Sequence, residues 1–153
     1  MKYATFTIEF ISHCLSHGNR IPTEDCDKFQ RDGDNALIFH QSWFYTAFAK
    51  ALGAIQLRGV RPGDILVDPT VNAPTTVFNR RYSRVKFRKH ESILSGTRVT
   101  FKAMVSDNIT TSVLNTLLKH VGAFIGISPY GYKLGYGKFN VIEVEVQPSD
   151  EAK

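Results

Sequence analysis

Cysteine is scarce in this chain, with Cys14 and Cys26 the only two in 153 residues. Two thiols cannot staple a small fold, so a disulfide scaffold is excluded and a reducing cytoplasm is the expected compartment. Long apolar runs are missing as well. None approaches the roughly 20 residues that a helix needs to cross a bilayer, so no membrane partner is expected. The opening "MKYATFTIEF" alternates polar and apolar residues, where a signal peptide would carry a continuous apolar segment. Acid is in short supply: 14 Asp and Glu stand against 19 Lys and Arg, for a formal net charge of +5. That imbalance favours anionic partners. Repeats, low-complexity tracts and long linkers are lacking too. One domain over residues 1–147 is therefore expected, with a loose tail over 148–153, "PSDEAK".

The 42% of hydrophobic residues is enough for a core, and their spacing assigns elements. Ala4, Phe6, Ile8 and Phe10 share one face of a first strand. Residues 13–36 are polar and turn-rich and read as an extended loop. "HQSWFYTAFAKALGAI" then places Trp43, Phe44, Ala47, Phe48, Ala51, Leu52 and Ile55 on one helical stripe. That predicts a helix near 40–55, with Gly53 or Gly59 marking its end. Strands follow at "DILVD", "TTVFNRRYSRVKFRKH" and "GTRVTFKAMV", the last two joined as a hairpin by "ESILSG". A second helix is predicted over 109–121, starting near Asp107-Asn108 and stopping at Gly122. It would bury Val113, Leu114, Leu117, Leu118 and Val121. In the final strand, "FNVIEVEV", Ile142, Val144 and Val146 alternate with Glu143 and Glu145. This order predicts an α+β, ferredoxin-like (split βαβ) fold, an antiparallel sheet with two helices on one face.

Charge is concentrated in "NRRYSRVKFRKH", which has no acidic residue from Asn79 to His90. Read with period two, Arg80, Tyr82, Arg84, Lys86, Arg88 and His90 share one strand face, and Val85 and Phe87 on the other can reach the core. Cations spaced about 6.6–7 Å apart along a strand repel one another unless an anion meets them. A phosphodiester backbone is such an anion, and Tyr82 offers a face on which a base can stack. The competing reading is a solvated edge strand whose charge guards against aggregation.

Glycine is the other concentration, in "GAFIGISPYGYKLGYGKFNVIEV". A Walker loop needs Gly-Lys-Ser/Thr opening a helix, and a dinucleotide fingerprint needs its glycines after a strand. These glycines follow a helix and precede a strand, so both are excluded. A backbone that lets another chain approach closely remains, flanked by Tyr130, Tyr132, Lys133, Tyr136 and Lys138. Its amides can bind phosphate oxygens and its tyrosines can stack bases.

The order of elements, with "GYGKFNV" between the second helix and the last strand, resembles the RAMP superfamily of CRISPR-associated RNA-binding proteins. These are ferredoxin-like, and a glycine-rich loop with a Gly-hydrophobic-Gly core sits where Gly135-Tyr136-Gly137 does here. The resemblance implies contact with guide or repeat RNA at Gly126, Gly131, Gly135, Gly137 and Lys138, and a CRISPR-type ribonucleoprotein as partner. Some members are metal-independent endoribonucleases with a histidine in or near the first helix. His40, at the start of that helix, is the catalytic candidate the resemblance implies. As residue chemistry alone, His40 equally suits a helix cap or a neighbour for Trp43.

Two further sets carry chemistry. His13, Cys14, His17 and Cys26 have zinc-ligand chemistry, but adjacent His13-Cys14 is poor spacing for it. Glu24, Asp25, Asp27, Asp32 and Asp34 could hold Mg²⁺ for a nuclease, although "RDGDNA" reads more simply as a turn. No metal and no cofactor is therefore expected. The chain reads as a non-catalytic binder of RNA or single-stranded DNA. The alternatives are an endoribonuclease using His40, and a phage or mobile-element protein that binds or mimics a CRISPR component.

Overall fold

The computed structural model describes residues 1–16, 19–21, 26–128, 130 and 134–148, with backbone alone at 19–21. Its elements run β1 (Lys2–Phe10), β2 (Cys14–Leu15), β3 (Asn19–Ile21), β4 (Cys26–Lys28), β5 (Gln30–Arg31), β6 (Leu37–Ile38) and α1 (Gln41–Ala54). Then come β7 (Ile65–Val67), β8 (Thr70–Val71), β9 (Thr76–Arg81), β10 (Phe87–Ile93), β11 (Arg98–Val105), α2 (Thr111–His120) and β12 (Phe139–Val146). This is an α+β protein with two helices, the class its periodicity predicts, and its strands pair antiparallel except β4 and β10, which pair parallel.

The main sheet has the order β12-β1-β11-β7, and every pairing in it is antiparallel. Strict alternation sets its register. Phe6 lies opposite Phe101, and the two rings stack at 5.2 Å. Ala4, Ile8 and Phe10 from β1, with Val99, Ala103 and Val105 from β11, are buried on the same face. Each large side chain buried there is worth about 1.5–3 kcal/mol relative to exposure. Both helices cover that face. Phe44 of α1 meets Phe101 edge-on at 5.2 Å, and Leu114, Leu117 and Leu118 of α2 are fully buried in the same cluster. The other face, with Tyr3, Thr5, Thr100 and Lys102, opens toward solvent.

Residues 13–36 depart from the expected loop. Short strands there build a second sheet, β2-β10-β4-β3, with β9 pairing β10, and a third, β5-β6-β8. Strands of two or three residues are too short to show a period, so nothing in their pattern announces them. The basic segment departs as well. It is a hairpin, not one strand: β9 and β10 pair antiparallel from Thr76↔Ser92 to Arg81↔Phe87, and residues 82–86 form the bend. β11, the expected partner, belongs to the main sheet. The bend has no glycine or proline to mark it. It is held by polar contacts: Tyr82 N–H donates to the Lys86 carbonyl at 3.1 Å and Lys86 N–H to Ser83 Oγ at 3.1 Å. The Arg81 guanidinium donates to the carbonyls of Ser83 at 3.1 Å and Arg84 at 2.6 Å.

Two boundaries also move. Thr110, not Asp107 or Asn108, caps α2 by accepting Val113 N–H at 3.2 Å. Gly122 does not stop the helix, which continues as a wider turn through Val121–Ile125 and ends at Gly126 with φ +84°. A Cβ at Gly122 would stand 2.3 Å from the Phe139 carbonyl oxygen, so this glycine lets β12 close onto the helix. In β12 the register shifts between Thr7↔Glu143 and Ile8↔Val141. Ile142 is the extra residue of that bulge. It turns outward at 42% exposure, while Val141, Val144 and Val146 pack on the core.

Candidate nucleic-acid interface

The tip of the β9–β10 hairpin presents Arg81, Tyr82, Arg84, Lys86 and, one arm down, Lys89 to solvent. Val85 and Phe87 do not reach the core as expected; they are 83% and 60% exposed. The fold-back explains this, because residues of the bend have no sheet face to hide behind. The Arg81 guanidinium lies 5.9 Å over the Phe87 ring, so charge and apolar surface alternate around the tip. None of Arg81, Arg84, Lys86 and Lys89 forms an ion pair among the described residues.

The root of the hairpin is different. Arg80 and Arg88 face each other across the pair, and His90, expected on an exposed basic face, has no exposure. Asp27 of β4, also without exposure, accepts two bonds from Arg88, at 2.7 Å from Nε and 3.0 Å from Nη2. Such a bidentate pair is among the stronger polar contacts a protein makes. His90 Nδ1 is 2.8 Å from the Ser16 carbonyl, which only an N–H can satisfy, so Nε2 carries the lone pair. Arg80 Nε donates to that Nε2 at 3.2 Å. Burial pushes the imidazole below the ordinary histidine value, ahead of the opposing pull of the Ser16 carbonyl and Asp27. His90 thus belongs to the interior, while Arg80 and Arg88 are both half-buried at its edge, Arg88 bonded to the buried Asp27 carboxylate.

The glycine-rich loop lies against this root. Arg80 Cζ sits 4.5 Å over the Tyr130 ring, which meets His90 at 5.0 Å. On the same hairpin Phe78 contacts Tyr136 at 5.8 Å and His13 at 4.9 Å. The two concentrations found in the sequence are therefore neighbours. Among the described residues, several of the loop's backbone N–H groups are bonded within the molecule. Ile127 N–H donates to Gly137 O at 3.0 Å, Gly137 N–H to His13 O at 2.8 Å and Lys138 N–H to Ser12 Oγ at 3.0 Å. A Cβ at Gly126 would lie 2.6 Å from Tyr136 O, and one at Gly137 would lie 3.1 Å from Ser128 Cβ, whereas Gly135 has open space. Close approach at Gly126 and Gly137 serves chain on chain within the molecule. Gly131, Tyr132 and Lys133 lie outside the described residues.

His40 is the N-cap of α1: its Nδ1 accepts Ser42 N–H at 3.1 Å and contacts Ser42 Oγ at 2.6 Å. His13 Nδ1 accepts Ser95 N–H at 3.1 Å. Burial pushes the Cys14 and Cys26 thiols up, away from the thiolate a metal would require. Asp32 Oδ1 accepts the N–H groups of Asp34 and Ala36, both at 2.9 Å, making "RDGDNA" a turn. Among the described residues no three His, Cys, Asp or Glu gather as a metal set; His17, Glu24 and Asp25 lie outside them. The group missed in sequence is Asp27. It was legible only as one acid in an acidic loop, with no local signal that β4 would insert beside β10.

No family model matches the chain, and no curated protein matches it. Solved structures do. A chain from the cryo-EM structure of the Type III-B Cmr-beta bound to cognate target RNA superposes with a TM-score of 0.65 at 9% identity, covering 96% of this chain. This chain spans 61% of that one's length. A chain of a Type IV-B CRISPR complex superposes with a TM-score of 0.53 at 12% identity, covering 98% of this chain and 92% of that one. At such identity the likeness is one of fold. At that level it meets the expected resemblance to CRISPR-associated proteins.

Proposed function

We propose that this chain is a RAMP-like, ferredoxin-like subunit of a CRISPR-type ribonucleoprotein. In this reading it binds single-stranded RNA through the β9–β10 hairpin and the adjoining glycine-rich loop, without cleaving it. The carrying observation is the hairpin tip, where Arg81, Arg84 and Lys86 lack carboxylate partners among the described residues and alternate with exposed Tyr82, Val85 and Phe87. Unpaired cations suit a phosphate backbone, and exposed rings beside them suit bases. The ferredoxin-like reading is supported by the main sheet, whose last strand lies beside the first with both helices on one face. RNA is favoured over DNA by the neighbour bound to target RNA. Tyr130 and Tyr136 extend the ring-bearing surface from the hairpin onto the loop.

Anisotropy of labelled single-stranded RNA against salt tests this, with single-stranded DNA as comparison. Reversing Arg81, Arg84 and Lys86 to Glu should flatten the log–log salt slope by roughly 0.7 per lost phosphate contact, about 2 in all. Arg88 is left out because Asp27 holds it. An unchanged slope in a folded triple variant would place the RNA elsewhere.

A further inference from the structure

Resting on the RNA-binding reading, we propose that Arg80 is the anion-reading residue at the junction of hairpin and loop, and that buried His90 is its positioning residue. Of the five N–H donors of a guanidinium, the Nε–H of Arg80 is spent on His90 Nε2 at 3.2 Å. The plane is held over Tyr130 at 4.5 Å and flanked by Tyr82 at 5.6 Å. Apart from a hydrogen bond to the Tyr130 side chain, that leaves the terminal nitrogens, whose remaining N–H groups can meet phosphate oxygens. No ion pair among the described residues answers the charge of Arg80. Arg88, directly opposite it, is answered by Asp27. The contrast between paired neighbours separates a structural arginine from one held ready for a ligand.

The arrangement requires a neutral His90. The groups facing it are Ser16 O, Asp27 of β4, Arg88 of its own strand, Arg80 of β9 and the Tyr130 ring. With Nδ1–H engaged by Ser16 O, a second proton can go only to Nε2, where it meets the Arg80 Nε–H. Donor then faces donor and cation faces cation, and the guanidinium loses its seat. The sign follows from burial: His90 binds its proton less readily folded than unfolded. The seat is therefore still intact through the ordinary histidine range and is lost only as pH falls through the depressed folded value.

His90→Gln is the diagnostic variant, since a glutamine amide can accept from Arg80 Nε but does not titrate. In the protein without RNA, the Arg80 Hε–Nε correlation should move with the His90 ring resonances, at a midpoint below the ordinary histidine value. In His90→Gln it should hold its neutral-pH position. In RNA anisotropy, wild-type affinity should fall roughly tenfold or more as pH is taken from neutral to well below the midpoint of the His90 ring resonances, relative to the change seen in His90→Gln. Arg80→Gln should lose a similar factor at neutral pH and show no such difference. An Arg80 resonance indifferent to His90, or the same pH profile in wild type and His90→Gln, overturns the proposal. Should His90→Gln not fold, co-titration in the wild type decides alone. Co-titration without RNA binding at any pH would uphold the positioning contact and overturn the RNA reading instead.

Discussion

Arg84 and Arg88 carry the same charge four residues apart, yet their surroundings give them opposite roles. Arg84 sits in the bend with solvent around it. Arg88 reaches back to a carboxylate that has no exposure, through two hydrogen bonds. Removing one partner of a buried pair typically costs about 3–5 kcal/mol, and Arg88→Ala belongs at the low end because its own side chain is 38% exposed. Arg84→Ala should change stability by no more than about 0.5 kcal/mol. Urea unfolding of the two variants checks this, and equal midpoints would mean the Asp27 contact contributes nothing. His40 shows the same dependence on surroundings. Its Nδ1 is committed to the first turn of α1, so its position at the helix start has a structural cause.

The glycine-rich segment divides at the scale of an element. Gly126 and Gly137 have positive φ and crowded Cβ positions, while Gly135, at φ +82°, faces open space. A left-handed conformation costs a side-chain-bearing residue about 1–2 kcal/mol, and all three positions share that cost. Only Gly126 adds a backbone collision, with Tyr136 O. Gly126→Ala should therefore destabilise by about 1–3 kcal/mol more than Gly135→Ala. Thermal melts of the two variants measure the difference, and equal Tm values would show that the loop yields at Gly126. The hairpin is the complementary element. Its arms are tied to β4 and the loop, so the exposed tip can be charged and apolar at once without loosening the core.

Across the whole molecule the three sheets share one apolar cluster. It joins Phe6 and Phe101 of the main sheet to Cys14 and Ile93 of the second and Leu37 and Val71 of the third. Trp43, the single tryptophan, sits at the seam, 5.2 Å from Phe39 and 6.3 Å from Phe29. A shared core predicts one cooperative transition, so Trp43 fluorescence and far-UV circular dichroism should give the same denaturant midpoint. Separate midpoints would divide the chain into two folding units. The same layout sets the hairpin and loop side by side although Arg80 and Tyr130 are far apart in sequence.

By itself the sequence determined the elements whose pattern is local and long. Alternation assigned β1, β11 and most of β12, and a 3.6-residue stripe assigned α1 and α2, because each face must be apolar along its whole length to be buried. The concentrations of charge and glycine were likewise visible, since composition does not depend on pairing. Tertiary structure alone decided where the basic segment folds back, because its bend is held by side chains on backbone carbonyls and not by residues that dictate a turn. It decided that Asp27 answers Arg88 and that His90 is buried beneath Arg80. It also decided that Ile142 turns outward at a bulge. Each of these depends on a strand from elsewhere in the chain arriving at one place. Side-chain period records which face of a strand is buried; it holds no record of the neighbour that buries it.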